Sequence, residues 1–166
     1  MDNIHLFFHS ASPFSQWTPC TFEVDGVTYN CAEQFMMAEK ARVFKDEEAR
    51  ELILKETSPK KQKAIGRKVK NYDNDVWEKE RYEVVKKGNF HKFTQNEEMK
   101  KALLDTADKT IAEASPFDRI WGIGLGKTHK DAYDMTKWRG RNLLGKILMD
   151  IRDELKSEKR QRMSDD

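Results

Sequence analysis

Between Asn30 and Lys45 the chain carries no glycine and no proline, and it is dominated by Ala, Met, Gln, Glu and Lys. These residues lose least on entering a helix. The stretch predicts a helix with Asn30 as N-cap and Glu33, three residues on, completing a capping-box-like pattern. Its apolar residues, Phe35, Met36, Met37, Ala38, Ala41, Val43 and Phe44, spread around much of the cylinder, as in a helix buried on most sides. Such a helix constrains everything else, because other elements must cover it. Glu33 and Lys40 lie seven apart, within about 20° of one face, and Lys40 leans back toward the N-terminus along the face that carries Glu33. If that face is buried, both charges are costly unless paired or used. Spacing alone also admits a plainer arrangement: a capping Glu33 and a solvated Lys40, with Glu39 and Arg42 marking the wet face.

The remaining chain supplies the cover. With 166 residues it has the length of one domain with a real core. Ile4–Phe8 reads as a strand, and residues 21–24 and 27–29 flank Asp25-Gly26 as a hairpin. Helices are expected over Asp46–Glu56 (stripe Ala49, Leu52, Ile53), from Ser58-Pro59 to Gly66-Arg67, and over Asp75–Lys87, where Val76 and Trp77 are apolar and Gly88-Asn89 would stop the helix. Further helices are expected over Asn96–Ala107 and Asn142–Leu155. Thr110–Ala114 and Ile120–Ile123 read as further short strands, His129–Thr136 as loop or a short helix. The fold class is therefore α+β and mainly helical, with helices packed around a small, mostly antiparallel sheet. Residues 1–156 would form a single domain and 157–166 a charged flexible tail.

Charged residues make up 36% of the chain but nearly cancel, leaving a net charge of +2. A protein that grips nucleic-acid backbone is usually more basic, which disfavours an RNA-binding reading of the Lys55–Lys70 segment without excluding a single bound nucleotide. Cys20 and Cys31 form no disulfide framework. His5, His9, His91 and His129 lack metal-ligand spacing, so neither metal nor cofactor is expected. No secretory leader and no membrane-length apolar run is visible, and a cytoplasmic location is expected.

Several residues carry chemistry-bearing patterns. Gly122 and Gly124, beside Trp121 in the segment Ser115–Lys127, give a backbone that a ligand can approach closely. This is neither a P-loop nor a dinucleotide fingerprint. Arg139 and Arg141 precede Asn142, a natural N-cap, and a helix start beside two guanidiniums suits a phosphate. Simple capping with solvated arginines accounts for the same residues. Gly145 in the first turn would permit close approach, or serve packing. Trp17, Trp77 and Trp121 are candidate base-stacking surfaces, Arg67 a candidate phosphate ligand, and Asp118 a second acid by position.

Four blocks in order resemble the NADAR family of YbiA-like proteins: Phe14-Ser15-Gln16-Trp17; Thr28-Tyr29 with Glu33 and Lys40; Gly66-Arg67; and Trp121-Gly122-Ile123-Gly124-Leu125 followed by Asn142-Leu143-Leu144-Gly145. The likeness runs from about Leu6 to Leu155. Gln16 stands where related motifs often have Asn, and the insert from His129 to Lys137 is a further departure. The resemblance implies an N-glycosidase that hydrolyses a ribose C1′–N bond. Its substrate would be an amino-pyrimidine ribosyl phosphate of riboflavin biosynthesis or an ADP-ribosylated nucleobase, with ADP-ribosylated nucleic acid as a further partner. The catalytic set is then Glu33 and Lys40, which lie in the family's helix motif, with Asp118 added on position alone. Phe14, Ser15, Gln16, Trp17, Arg67, Trp77, Trp121, Gly122, Gly124, Arg139, Arg141 and Asn142 would bind substrate. A non-catalytic ADP-ribose or nucleotide-binding module using the same pocket is the alternative.

Overall fold

A computed structural model describes residues 3–165 of the chain. In order the elements are β1 (Ile4–Phe7), β2 (Phe22–Val24), β3 (Val27–Tyr29), α1 (Ala32–Val43), α2 (Glu47–Lys55), α3 (Pro59–Gly66), α4 (Asn74–Thr94), α5 (Glu97–Asp105), β4 (Thr110–Glu113) and α6 (Leu143–Asp165), with a 3₁₀ turn at Met135–Lys137. The α+β, mainly helical class expected from the sequence holds. The strands form two separate two-stranded ribbons rather than one sheet. β1 and β4 pair in parallel, while β2 and β3 form an antiparallel hairpin. The chain divides into two compact units, one built from the segments before Gln16 and after Glu97, the other from Gln16–Glu97.

In the Gln16–Glu97 unit, α1 packs against α2, α3, α4 and β3. Every residue from Ala32 to Ala38 is buried, as its all-round apolar character demands. The hairpin turns through Asp25 (φ 51°) and Gly26 (φ 83°), the left-handed pair that matches strand twist. It sets Phe22 and Tyr29 in a stacked pair against Phe35 of α1, with Tyr29 edge-on to Phe35 at 5.0 Å. Two close approaches fix the neighbouring helices. A Cβ at Gly66 of α3 would run into the Met37 side chain, and one at Gly88 of α4 into the Phe35 ring.

That second contact explains why α4 does not stop at Gly88-Asn89, as expected, but continues to Thr94. Gly88 faces the densest part of the core, where no larger side chain fits, and Asn89 bonds back to the Val85 carbonyl at 2.8 Å. A second correction concerns the start of α1. Asn30 is not its N-cap; the helix begins at Ala32, after Cys31. The Asn30 side chain instead donates to the Thr57 carbonyl and accepts from Gln62, tying α1 to α3. Its backbone N–H goes to Gln34 Oε1, so Gln34 makes the reach expected of Glu33. Leu52 and Val76, read as stripe residues, are exposed.

In the other unit, β4 lies between β1 and α6. Leu6, Ala112, Ala114, Ile123, Leu125 and Ala132 form its core, and Leu144, Ile147, Leu148 and Ile151 seat α6 with no residual exposure. Ile120–Ile123 is loop, not strand. Only Ile123 reaches β4, donating to the Glu113 carbonyl, while the carbonyls of Arg119, Ile120, Trp121 and Gly122 accept N–H groups of residues 141–144. α6 continues helically to Asp165, well past Leu155, where its apolar spacing ends.

Candidate active site

α1 presents Glu33 in its first turn and Lys40 two turns on. Glu33 is 4% exposed, a carboxylate inside the core. Its backbone N–H donates to the Gln16 carbonyl at 3.0 Å. Lys40 is half-buried. Its Nζ sits over the Tyr72 ring at 4.7 Å and 6.0 Å from the Trp77 ring centre, and among the described residues it makes no hydrogen bond or ion pair. Two aromatic faces thus hold the amine by cation–π attraction and leave its N–H donors available. Burial lowers the Lys40 pKa, the Glu33 charge opposes that fall, and the Arg67 charge adds to it. The four residues Glu33, Lys40, Arg67 and Trp77 are therefore brought together, and Gln16 joins them through its carbonyl. Trp17 is exposed.

Two contributors escape the sequence reading. Tyr72, edge-on to Phe44 at 5.3 Å, supplies the face under Lys40; only its aromatic character in a loop hinted at it. Asn89 locks Gln16 through paired amide hydrogen bonds of 2.8 and 2.9 Å. The helix-stop reading of Gly88-Asn89 concealed this partner. Gln16 is thereby a fully engaged amide whose backbone steers the start of α1.

In the unit that contains α6, the structure gathers Asp118, Trp121, Gly122, Gly124, Arg139, Arg141 and Asn142 into one knot of loops. Asp118 Oδ1 accepts the N–H groups of Ile120 and Trp121 at 3.0 and 2.9 Å, so this carboxylate shapes a turn. Gly124 has a φ of 73°, the left-handed region that a side chain rarely tolerates. Gly122 lies 3.0 Å (from an ideal Cβ) from the carbonyls of Asp118 and Glu113.

Asn142 stands at the N-cap position of α6, its carbonyl accepting the Lys146 N–H at 3.1 Å, but its side chain does not cap the helix. Its φ is 52° and it is buried. Its side chain accepts the Glu113 N–H at 3.2 Å and donates to the Ile111 carbonyl at 3.0 Å, clamping α6 to β4. The start of α6 is not an open ring of amides either: Leu143 and Leu144 donate to the Ile120 and Trp121 carbonyls. What this end offers an anion is the exposed side chains of Arg139 and Arg141. Gly145 is a packing contact, since a Cβ there would meet the Ile111 carbonyl and the Asn142 amide. Phe14 is buried against His5 and Phe7, edge-on to each ring, and Ser15 is buried beside it in sequence.

A core carboxylate and a half-buried amine with spare donors thus stand two turns apart on α1. The family is NADAR: its domain matches residues 6–156, and the chain belongs to it. It is similar to an N-glycosidase of Acanthamoeba polyphaga mimivirus, 43% identical over 90% of this chain and 95% of that protein. It is also similar to the N-glycosidase YbiA of Escherichia coli, 31% identical over 96% of this chain and 93% of that protein. The NMR structure of Escherichia coli YbiA superposes with a TM-score of 0.79 at 30% identity, covering 95% of this chain and 88% of that one. The chain is thus a hydrolase of the N-glycosidase type. No helix among the described residues is long and apolar enough to cross a membrane.

Proposed function

We propose that the protein hydrolyses the C1′–N bond of a ribosylated base that carries phosphate. The two substrate classes are an amino-pyrimidine ribosyl phosphate, as in riboflavin biosynthesis, and an ADP-ribosylated nucleobase. The observation that carries this reading is the pairing on α1: a buried Glu33 carboxylate with an amine, Lys40, whose N–H groups are unspent. As the C1′–N bond lengthens, positive charge builds on the ribose ring. A carboxylate fixed in a low-dielectric site stabilises that charge most when it is largest.

Glu33 would stabilise the oxocarbenium-like ribose and orient the water. That water's oxygen bonds to C1′, and its proton balances the nitrogen that leaves with the base. Lys40 would donate to a ribose or phosphate oxygen, and Arg67 would hold the phosphate as a planar, permanently charged fork. Trp77 and Tyr72 hold the amine, which leaves the exposed Trp17 as the base-stacking candidate within this unit.

The test is release of free base from amino-pyrimidine ribosyl phosphates, ADP-ribosylated guanosine and NAD, by wild type and Glu33→Gln side by side. Wild type should release base from one class. Glu33→Gln should keep its fold by circular dichroism and lose turnover by about a thousandfold or more. Equal turnover in the variant refutes the assignment of Glu33. Binding of ADP-ribose without release of any base would replace catalysis with the binding-module reading.

A further inference from the structure

The unit that holds β1, β4 and α6 contains a cavity of about 610 Å³, within the range of small-molecule sites. The β1 strand and the loop after it form one wall, and the end of α5 with Lys109 forms another. Its lining is chemically lopsided. His5, His9, Lys109 and Lys127 face it with one carboxylate, Asp105, in a protein whose total charge is only +2. Neither Lys109 nor Lys127 makes an ion pair or a side-chain hydrogen bond among the described residues. Both ammonium charges reach His5, where they add to burial in lowering its pKa, so the two positive charges converge on this space.

The apolar part of the lining includes three aromatic rings, Phe7, Phe8 and Phe14. Phe8 is 44% exposed with its ring edge-on to His9 at 5.2 Å, an uncovered flat surface beside the cationic wall. The wall itself is held firmly. Buried Arg152 donates through Nη1 to Thr106 Oγ1 at 2.9 Å and to the Lys109 carbonyl at 2.7 Å, and its Nε has no partner among the described residues. A guanidinium that is buried to position Thr106 and Lys109 adds fixed positive charge behind the same wall.

We propose that this cavity is a second ligand site, taking a small phosphorylated planar compound of the nucleoside monophosphate class. Its phosphate would lie between Lys109 and Lys127, and its base would stack on Phe8. None of Glu33, Lys40 and Arg67 lines the cavity. Phe14, a substrate-binding candidate from the sequence, forms part of this wall.

The experiment is calorimetric titration of AMP and of inorganic phosphate into the full chain. The chains compared are wild type, Lys109→Gln/Lys127→Gln, Phe8→Ser and Glu33→Gln. AMP should bind wild type one to one and more tightly than phosphate. It should bind the double lysine variant and Phe8→Ser at least about tenfold more weakly. Glu33→Gln should bind AMP as wild type does, and the lysine variant should release base from the glycosidase substrate at the wild-type rate. The proposal is overturned if wild type fails to bind AMP, or if both the lysine variant and Phe8→Ser bind it unchanged. Loss of AMP binding in Glu33→Gln would also overturn it by placing the ligand at the active site. Failure of the glycosidase assay alone would strike the proposed function and leave this site standing.

Discussion

Lys92 offers a sharp test of how this core treats charge. It lies in α4 with no exposed surface, its Nζ 5.0 Å from the Phe93 ring centre. Burial pushes its pKa down from 10.5 to about 8, against an upward pull from the nearby Cys20 and Cys31 thiols. A folded-state pKa below the unfolded one means that the native protein resists taking up the proton. The penalty is complete below about pH 8 and is relieved as pH rises toward 10.5. At pH 7 it amounts to about 3 kcal/mol, and about 1 kcal/mol of that is recovered by pH 9. Lys92→Met keeps an unbranched chain of similar length and removes the titration. Urea unfolding of both proteins at pH 7 and pH 9, under reductant, isolates the effect. Relative to wild type, the variant should lose about 1 kcal/mol of stability between the two pH values. Any constant offset from altered packing leaves that difference untouched. Making both measurements in a Cys20→Ala/Cys31→Ala background removes the two thiols, whose titrations burial raises and which interact with Lys92. A variant-minus-wild-type difference that is the same at both pH values would refute the argument.

Three further outcomes are expected. Lys40→Met should lower kcat/KM for a phosphorylated ribosyl substrate by about a hundredfold. Lys40→Arg should restore part of it, because a donor to oxygen is replaceable by another donor; if Lys40 acted as a nucleophile, the Arg variant would stay as inactive as the Met variant. Asn142→Ala should destabilise the protein by about 2–4 kcal/mol in urea unfolding, since two buried backbone groups, the Glu113 N–H and the Ile111 carbonyl, lose their partner at once. Gly88→Val should cost more than about 3 kcal/mol by the same assay, because α4 can accommodate Cβ branches there only by displacing the Phe35 ring.

Local chemistry determined much of this protein. The hairpin at Asp25-Gly26 needs only a left-handed pair of residues. The helix Ala32–Val43 follows from composition, and its burial from apolar residues spread around it. The α+β class was legible, and so was the placing of Glu33 and Lys40 two turns apart on one helix, because both depend on periodicity within single elements. What the sequence missed depends on partners far along the chain. Gly88 and Asn89 read as a helix stop, and only the Phe35 ring and Gln16, which occupy the space around them, turn that pair into a helix interior. Asn142 reads as a cap from its neighbours, yet β4 claims its side chain, and the carbonyls of Ile120 and Trp121 claim the amides that would have met a phosphate. Ile120–Ile123 has strand-like residues, but its hydrogen-bonding groups are drawn into closing α6. Tyr72, hidden in a loop, became the support of Lys40 only when α1 and the segment after α3 came together. Propensity and periodicity set what each segment prefers; hydrogen-bond partners and close contacts, which tertiary packing alone supplies, decided where helices begin and which polar groups remain for chemistry.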